Sequence, residues 1–210
     1  MSRESLPQTV EALSSLSINK VHKRKIDLLA LRYMVQQLRL TLQTMEQPLT
    51  DKPPFLYAAA GRRCCTHRIA LYDPWQLMQN EQLAFVGFVS GLQAVTDPTV
   101  SSELQSVDGQ MLAELTHVPG LLAYSSMEVR QGRWYNLVIL QDIDGKMHLQ
   151  SLKKHQYAAY KLAPRAYDWI RIHSGLIPAG LAGNTIDVLK TKHYVYGHAD
   201  NSAAMYEVIY

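Results

Sequence analysis

The chain has 210 residues, of which 47% are hydrophobic, and its formal net charge at pH 7 is +3. This hydrophobic content is typical of a globular protein and argues against extensive disorder. The nearly balanced charge also argues against an extended phosphate-binding surface, because the main basic cluster is the short run Lys23-Arg24-Lys25. We therefore expect no nucleic-acid partner.

The sequence argues against a membrane association and against a metal site. Its first residues, MSRESLPQTVEALSS, lack the apolar core of a secretory signal, and no apolar run approaches the ~20 residues that cross a bilayer. Cys64 and Cys65 are adjacent, which disfavours a disulfide between them. Together with His67 they form CCTH, which lacks the usual ligand spacing of a zinc site. We expect a cytoplasmic protein without a metal.

Residues 1–80 are predicted to form an N-terminal helical extension and a connecting segment. The sequence from Asn19 to Gln47 contains no Gly or Pro, and Pro48 follows it, which predicts one long helix. Apolar residues recur in this helix at spacings of three and four, a stripe that favours packing against a partner in another subunit or in the chain's own domain. They are Leu28, Leu31, Val35, Leu38, Leu42 and Met45. The connection after the helix should hold one or two short strands, near FLYAAA and HRIALY.

Residues 81–182 show a regular alternation of strands and helices. Leu83 to Leu92 is apolar at odd and even positions, which predicts a strand covered on both faces. A helix follows and ends at Pro119-Gly120, and two extended runs then meet in a hairpin at Gln131-Gly132. A second helix is predicted from Asp144 to a point before Pro164.

The last predicted strand of this region is AYDWIRIH, residues 166–173, which Gly175 and Pro178 should end. The resulting order, βαββαβ, predicts an α+β domain of the ferredoxin-like type, with both helices on one face of an antiparallel sheet. Residues 183–210 are expected to add a strand. Because the second face of the sheet is also apolar, it must be buried, and a second copy is the simplest cover. We therefore expect a homodimer.

The segments HVPGLLAYS and NLVILQDIDGKMHLQSLKKH, in this element order, resemble the dimeric α/β-barrel superfamily and within it the antibiotic-biosynthesis-monooxygenase-like proteins. The resemblance covers residues 83 to 181. It implies a dimeric α/β barrel with a small-molecule cavity between the two sheets. It also implies a cofactor-independent monooxygenase.

The resemblance makes His155 a candidate axial ligand or proton relay, since haem-binding relatives carry a histidine on this helix. The chain also departs from those relatives. Its first strand, LAFVGFVSGL, has no asparagine, and Gln141-Asp142 stands where they place a tryptophan. We therefore expect no haem degradation and no cofactor, with haem binding as the alternative. His148 is interpreted as a residue that borders the sheet-facing stripe of the helix.

Side-chain alternation predicts which residues line the cavity. Ile170 and Ile172 should point to the helices, which leaves the polar and aromatic residues of the same strand for the cavity. The predicted cavity residues of this strand are Tyr167, Trp169, Arg171 and His173, and those of the hairpin are Trp134 and Asn136. Arg171 could hold a carboxylate or an enolate oxygen, and His173 could move a proton. The alternative is that Arg171 and His173 form structural ion pairs or hydrogen bonds.

Three functions follow from these patterns. The first is a small-molecule monooxygenase-like enzyme that acts on an aromatic or polyketide-like ligand, with Arg171, His173 and His155 as catalytic residues. The second is a protein that binds a ligand or haem without turning it over. The third is a structural protein that uses its N-terminal helix to bind a partner.

Overall fold

The computed structural model describes residues 8–45, 52–60, 66–94, 97–183, 185–197 and 203–210, and it describes their side chains except at 8–22 and 60. The helices are α1 (Gln8–Thr44), α2 (Pro74–Gln79), α3 (Pro98–Leu115), α4 (Gly145–Ser151), α5 (Lys153–Tyr157) and α6 (Ala163–Ala166). A π-helical turn spans Ala158–Leu162, and a 3-10 turn spans Gly180–Ala182. The strands are β1 (Phe55–Ala60), β2 (Thr66–Leu71), β3 (Leu83–Leu92), β4 (Leu121–Arg130), β5 (Arg133–Leu140), β6 (Tyr167–Ile177), β7 (Asp187–Tyr196) and β8 (Ala203–Ile209).

The described strands form one antiparallel sheet in the order β1-β2-β4-β5-β3-β6-β7-β8. Its central part, β3 to β6, follows the predicted βαββαβ order, with α3 and the segment α4–α6 as the two crossovers. The α+β class is therefore confirmed, and the topology is consistent with the ferredoxin-like arrangement. Strands β1 and β2 coincide with FLYAAA and HRIALY and extend the sheet beside β4. The C-terminal extension adds two strands beyond β6, where one was predicted.

Two local predictions differ from the structure. Gly175 does not end the last strand of the domain but lies inside β6, at a shift in the register with β7. A Cβ atom at Gly175 would collide with the carbonyl oxygen of Asp187, so glycine allows β7 to approach here. The second predicted helix is also interrupted, because Leu152 has an extended backbone (φ −63°, ψ 130°) between α4 and α5. The π-helical turn then separates α5 from α6.

Helix α1 covers the face of the sheet that the sequence assigned to a second copy. Leu31, Met34 and Leu38 are fully buried and share one apolar cluster with Phe85 of β3 and Leu137 of β5. The predicted apolar stripe of this helix therefore packs against the chain's own sheet. The homodimer itself remains a prediction, but the apolar face that motivated it is already occupied.

The close approach of α1 depends on a glycine in the central strand. A Cβ atom at Gly87 would stand 2.7 Å from Cδ1 of Leu31, which is closer than real Cβ contacts come. The absence of a side chain at Gly87 gives Leu31 room directly over β3.

In the described chain, no helix is both long enough and apolar enough to cross a membrane.

A substitution at the centre of the α1 stripe tests this packing. Leu38 is fully buried, whereas Leu29 on the same helix is 66% exposed. Leu38→Ala should lower the free energy of unfolding by about 2–5 kcal/mol, because it leaves a cavity under α1. Leu29→Ala should change it by less than about 0.5 kcal/mol. Urea unfolding measures both, and equal midpoints for the two variants would contradict the packing.

Candidate functional site

The two faces of the sheet differ in how completely they are sealed. On the face under α1, the side chains of the central strands are inaccessible: Phe85, Val89, Leu137 and Ile139 are each 0% exposed. On the opposite face, which carries α3 and α4–α6, Ala84, Ser90, Leu140 and Ile170 are buried, but other side chains of the same strands are half-buried. They are Val86, Phe88, Trp134, Asn136, Val138 and Ile172. The middle of this face is therefore less completely covered than the face under α1.

The apolar core on this helix-covered face is divided into two clusters. The first joins Leu112 and Leu115 of α3 and Leu149 of α4 to one end of the sheet, with Val86 and Val138 at its margin. The second joins Ala163 of α6 to the other end of the sheet. Its half-buried margin consists of Phe88, Tyr167, Ile172 and Tyr194. We call the half-buried surface between these margins the helix-face cleft. Residues 153–162, which include the π-helical turn, join the helical parts of the two clusters.

Asn136 lies in the floor of the helix-face cleft, beside Phe88 in the strand register. Its Oδ1 atom is buried and has no hydrogen-bond partner among the described residues. A buried amide oxygen without a donor is unfavourable by about 1–3 kcal/mol, and such atoms are rare in folded proteins. Asn136 therefore offers an acceptor to a hydroxyl or N–H group that enters the cleft.

Three other sequence-predicted residues lie on the same side of the sheet. The Tyr167 ring packs edge-to-face on Phe88, with 5.9 Å between ring centroids. Burial raises the pKa of Tyr167 to about 12, so its phenol stays neutral and can donate a hydrogen bond. Trp134 is half-buried two residues before Asn136 on β5. His155 is half-buried on α5, and burial lowers its pKa, which leaves a neutral imidazole that can accept a proton.

The alternation rule predicted that Tyr167 and Trp169 share one face of the sheet. In the structure they lie on opposite faces. Gly91 of β3 pairs with Trp169, and the next residue, Leu92, pairs with Tyr167. Asp168 is therefore skipped by a β-bulge, which turns Tyr167 to the opposite side of the sheet. The alternation rule assumes an unbroken ladder, and this assumption fails at the first residues of β6. Gly91 itself leaves room for the Trp169 ring, since a Cβ atom there would stand 2.7 Å from it.

Trp134 and Asn136 also lie on the face opposite to the predicted one. Tyr135 pairs with Val89, and Val89 pairs with Arg171, so these three side chains share the α1 face. Trp134 and Asn136 then project to the helix-face cleft. The prediction was wrong because it assigned the more apolar side of β5 to the crossover helices. In the structure α1 seals its face more tightly, and the more apolar side of β5 lies there.

Arg171 and His173 lie under α1 and bind one carboxylate. Nε and Nη2 of Arg171 donate to Oδ2 and Oδ1 of Asp27 at 2.6 and 2.8 Å. Nε2 of His173 lies 3.0 Å from Oδ2 of Asp27, and its Nδ1 lies 2.9 Å from Oγ1 of Thr191. The Arg171 guanidinium also stacks over the Trp169 ring, 4.0 Å from the ring centroid. The two predicted catalytic residues of β6 are thus brought together, but with Asp27 and away from the cleft.

Asp27 was not among the sequence-predicted site residues. Burial alone would raise its pKa, but hydrogen bonds from His173 and Arg171 outweigh that effect and lower the pKa below its ordinary value. The carboxylate is therefore charged at neutral pH although it is fully buried. A signal was present in the sequence, because Asp27 stands four residues before Leu31 and hence on the buried stripe of α1.

A second buried polar pair lies on the α1 face, at β2 and β4. Nε2 of His67 is 2.7 Å from Oγ of Ser125, and both residues are almost fully buried. Burial lowers the pKa of His67. The other members of the CCTH motif that could bind metal, Cys64 and Cys65, lie outside the described residues. Among the residues that are described, no group of three or more His, Cys, Asp or Glu is arranged to hold a metal ion.

Comparisons with known proteins do not assign a family. No family model matches the chain, and no curated protein shows significant sequence similarity to it. Among solved structures, protein SO0527 from Shewanella oneidensis matches 46% of this chain and 92% of its own at 11% identity, with a TM-score of 0.39. Two structures of SnoaB, a cofactor-independent oxygenase from Streptomyces nogalater, match 47% of this chain and 92% of their own at 15% and 16% identity, each with a TM-score of 0.34. Similarity at this level carries no argument about function.

The pH dependence of stability tests the role of Asp27. Because its folded pKa is lowered, its charge stabilises the fold above the unfolded pKa of about 3.9, and this contribution is lost as pH falls through the folded pKa. Asp27→Asn should unfold more easily than the parent by about 3 kcal/mol or more at pH 5, since it leaves Arg171 buried without its anion. The difference should narrow as pH falls from 5 to 3.

Urea unfolding of the parent and of Asp27→Asn at several pH values between 5 and 3 measures this difference. Groups that titrate alike in the parent and in the variant cancel from this difference. A difference that stays constant down to pH 3 would show that the charge of Asp27 does not stabilise the fold.

Proposed function

We propose that the chain binds a planar aromatic small molecule in the helix-face cleft and oxygenates it without a cofactor. The observation that carries the binding proposal is the buried, unpartnered Oδ1 of Asn136 in a half-exposed floor beneath the helix layer. Aromatic and apolar walls with a few fixed polar groups suit such a ligand. The reaction type is supported by the sequence resemblance to antibiotic-biosynthesis-monooxygenase-like proteins.

The proposed reaction uses dioxygen as the oxidant and an electron-rich phenol or enol as the reductant. A ring CH₂ group that is activated by an adjacent carbonyl and phenol is converted to C=O. One oxygen atom of O₂ is inserted, the second leaves as water with the two hydrogens, and the substrate supplies all four electrons. The protein then needs only to position the substrate and to move a proton.

The residues of the cleft can perform these tasks. Asn136 would accept a hydrogen bond from a substrate hydroxyl, and the neutral imidazole of His155 would accept the proton that converts the substrate to its enolate. Phe88, Tyr167 and Trp134 would flank the ring system. Arg171 and His173 are sealed beneath α1 and bind Asp27, so we assign them to the stability of the fold in this proposal.

Haem binding is the alternative that one observation favours. His155 is a neutral, half-buried histidine beside a π-helical turn, and its imidazole is the type of group that ligates haem iron. Iron bound there would supply redox chemistry, and His155 would hold it. A visible absorption band after addition of haemin, lost in His155→Ala and kept in His148→Ala, would favour this alternative over oxygenation without a cofactor.

The third function, a structural protein that binds a partner through its N-terminal helix, loses its main support. The apolar stripe of α1 that could bind a partner helix is used within the chain, where Leu31, Leu38 and Leu42 are buried. A role as a structural protein would therefore need a different surface.

The oxygenation proposal can be tested with 1,8-dihydroxy-9-anthrone, a planar phenol with an activated CH₂ group. We expect the parent to accelerate quinone formation with one O₂ consumed per product and no hydrogen peroxide. His155→Ala should lower kcat by roughly 100-fold or more through loss of the proton acceptor. Asn136→Ala should lower kcat/KM by about tenfold. Oxygen uptake and quinone absorbance measure these effects.

The controls separate the cleft from the α1 face. His148 is exposed on α4, and His148→Ala should keep the parent's kcat and melting temperature. Arg171→Ala should melt earlier than the parent, because it leaves the buried Asp27 carboxylate without its main partner. Folded His155→Ala and Asn136→Ala variants with the parent's activity would remove the cleft as the site.

A further inference from the structure

One row of directly paired residues, one from each of four adjacent strands, crosses the floor of the helix-face cleft and ends at a lysine. Asn136 of β5 pairs with Phe88 of β3, Phe88 pairs with Ile172 of β6, and Ile172 pairs with Lys192 of β7. Directly paired residues of antiparallel strands project to the same face, so these four side chains form one row. The row retains accessible surface along its whole length. It therefore runs from a hydrogen-bond acceptor, over two apolar side chains, to a cation.

The lysine end of this row carries more positive than negative charge. Lys190 and Lys192 share a single carboxylate, that of Glu207, with N–O distances of 3.0 and 3.8 Å. Lys146, half-buried on α4, lies close enough to both lysines to feel their charge. Among the described residues, these three ammonium groups and the Glu207 carboxylate sum to two positive charges at this end.

The surroundings of Lys146 destabilise the charged form of its side chain. Burial is the largest cause of its lowered pKa, and the neighbouring Lys192 and Lys190 lower the pKa further, while Glu207 offsets only part of the effect. A half-buried ammonium beside two others is stabilised when an anion approaches. The half-buried Lys146 therefore distinguishes this end of the cleft from scattered surface lysines.

We infer that the ligand of the helix-face cleft carries an anionic substituent at one end, which Lys192, Lys190 and Lys146 bind, and a hydroxyl group at the other end, which Asn136 binds. Adjacent strands lie about 4.8 Å apart, so the backbones of Asn136 and Lys192 are separated by three spacings, or roughly 14 Å. A ring system of two or three fused rings spans this distance when the lysine side chain extends towards it. The inference rests on the proposed cleft and specifies the class of ligand, an aromatic acid.

The experiment compares two probes that differ in one charged group. They are 1,8-dihydroxyanthraquinone and its 3-carboxylic acid, titrated into the full chain by calorimetry. The parent should bind the acid at least tenfold more tightly than the neutral compound. The preference should shrink as sodium chloride is raised, because salt screens partly exposed charges.

Two variants with opposite expected effects make the test independent of folding defects. Lys192→Met should weaken binding of the acid by roughly tenfold and leave the neutral probe unchanged. Glu207→Gln removes the carboxylate that pairs with Lys190 and Lys192 and should strengthen binding of the acid. Lys25→Met, at an exposed position on α1, should affect neither probe.

The outcomes distinguish failure of this inference from failure of the cleft. Equal affinities for the two probes, unaffected by Lys192→Met and Glu207→Gln but weakened by Asn136→Ala, would keep the cleft and overturn the anion site. Failure of both probes to bind the parent would overturn the cleft and the anion site together. Acid binding that persists in Lys192→Met and is lost in Lys25→Met would place the anion on the α1 face and contradict the inference.

Discussion

The fold depends on how the second face of its sheet is closed. Two-sided apolar strands cannot remain exposed to water, and this chain covers them with α1, whose buried stripe includes a charged residue, Asp27. A buried carboxylate is strongly unfavourable unless it is paired, and Arg171 and His173 satisfy it with three hydrogen bonds. This pairing also restricts α1 to one register, because a shift of one turn would separate the Asp27 carboxylate from Arg171 and His173. The apolar stripe of α1 supplies the buried area, and the ion pair between Asp27 and Arg171 fixes the position of α1 on the sheet.

Closure of the α1 face has a consequence for the opposite face. Side chains alternate along each strand, so every residue that α1 buries fixes its neighbours toward the crossover helices. The tightly packed set of β5, which includes Tyr135 and Leu137, faces α1, and the polar Asn136 is thereby directed to the other side. The crossover between β5 and β6 is interrupted at Leu152 and contains a π-helical turn, and side chains on this face such as Asn136 stay half-buried. The helix-face cleft thus arises from the packing of the whole chain.

Much of the fold could be predicted from the sequence, because hydrophobic periodicity and the positions of Gly and Pro determine where its helices, strands and turns lie. The βαββαβ order, the hairpin at Gln131-Gly132 and the stripe of α1 are local patterns, and the structure shows all three. The assignment of faces depended on features that are not local. A β-bulge turned Tyr167 away from Trp169, and the choice of face for Asn136 depended on which helix layer packs more tightly. Alternation gives the relative orientation of neighbours along a strand, but it does not say which side a distant helix will cover.

The candidate site shows the same division between local and non-local information. Side-chain alternation picked out Trp134, Asn136 and Tyr167, and the family resemblance picked out His155. These residues lie on the helix-covered side of the sheet, although alternation had placed the first three on the other face. Side-chain alternation also included Arg171 and His173. An arginine and a histidine on an aromatic strand face give the same sequence pattern whether they bind a ligand or a carboxylate of the same chain. Only Asp27, 144 residues from Arg171 in sequence, distinguishes the two cases. A polar cluster on a strand therefore indicates a ligand only after the chain's own buried charges have been paired, and on that criterion the unpartnered oxygen of Asn136 points to the cleft.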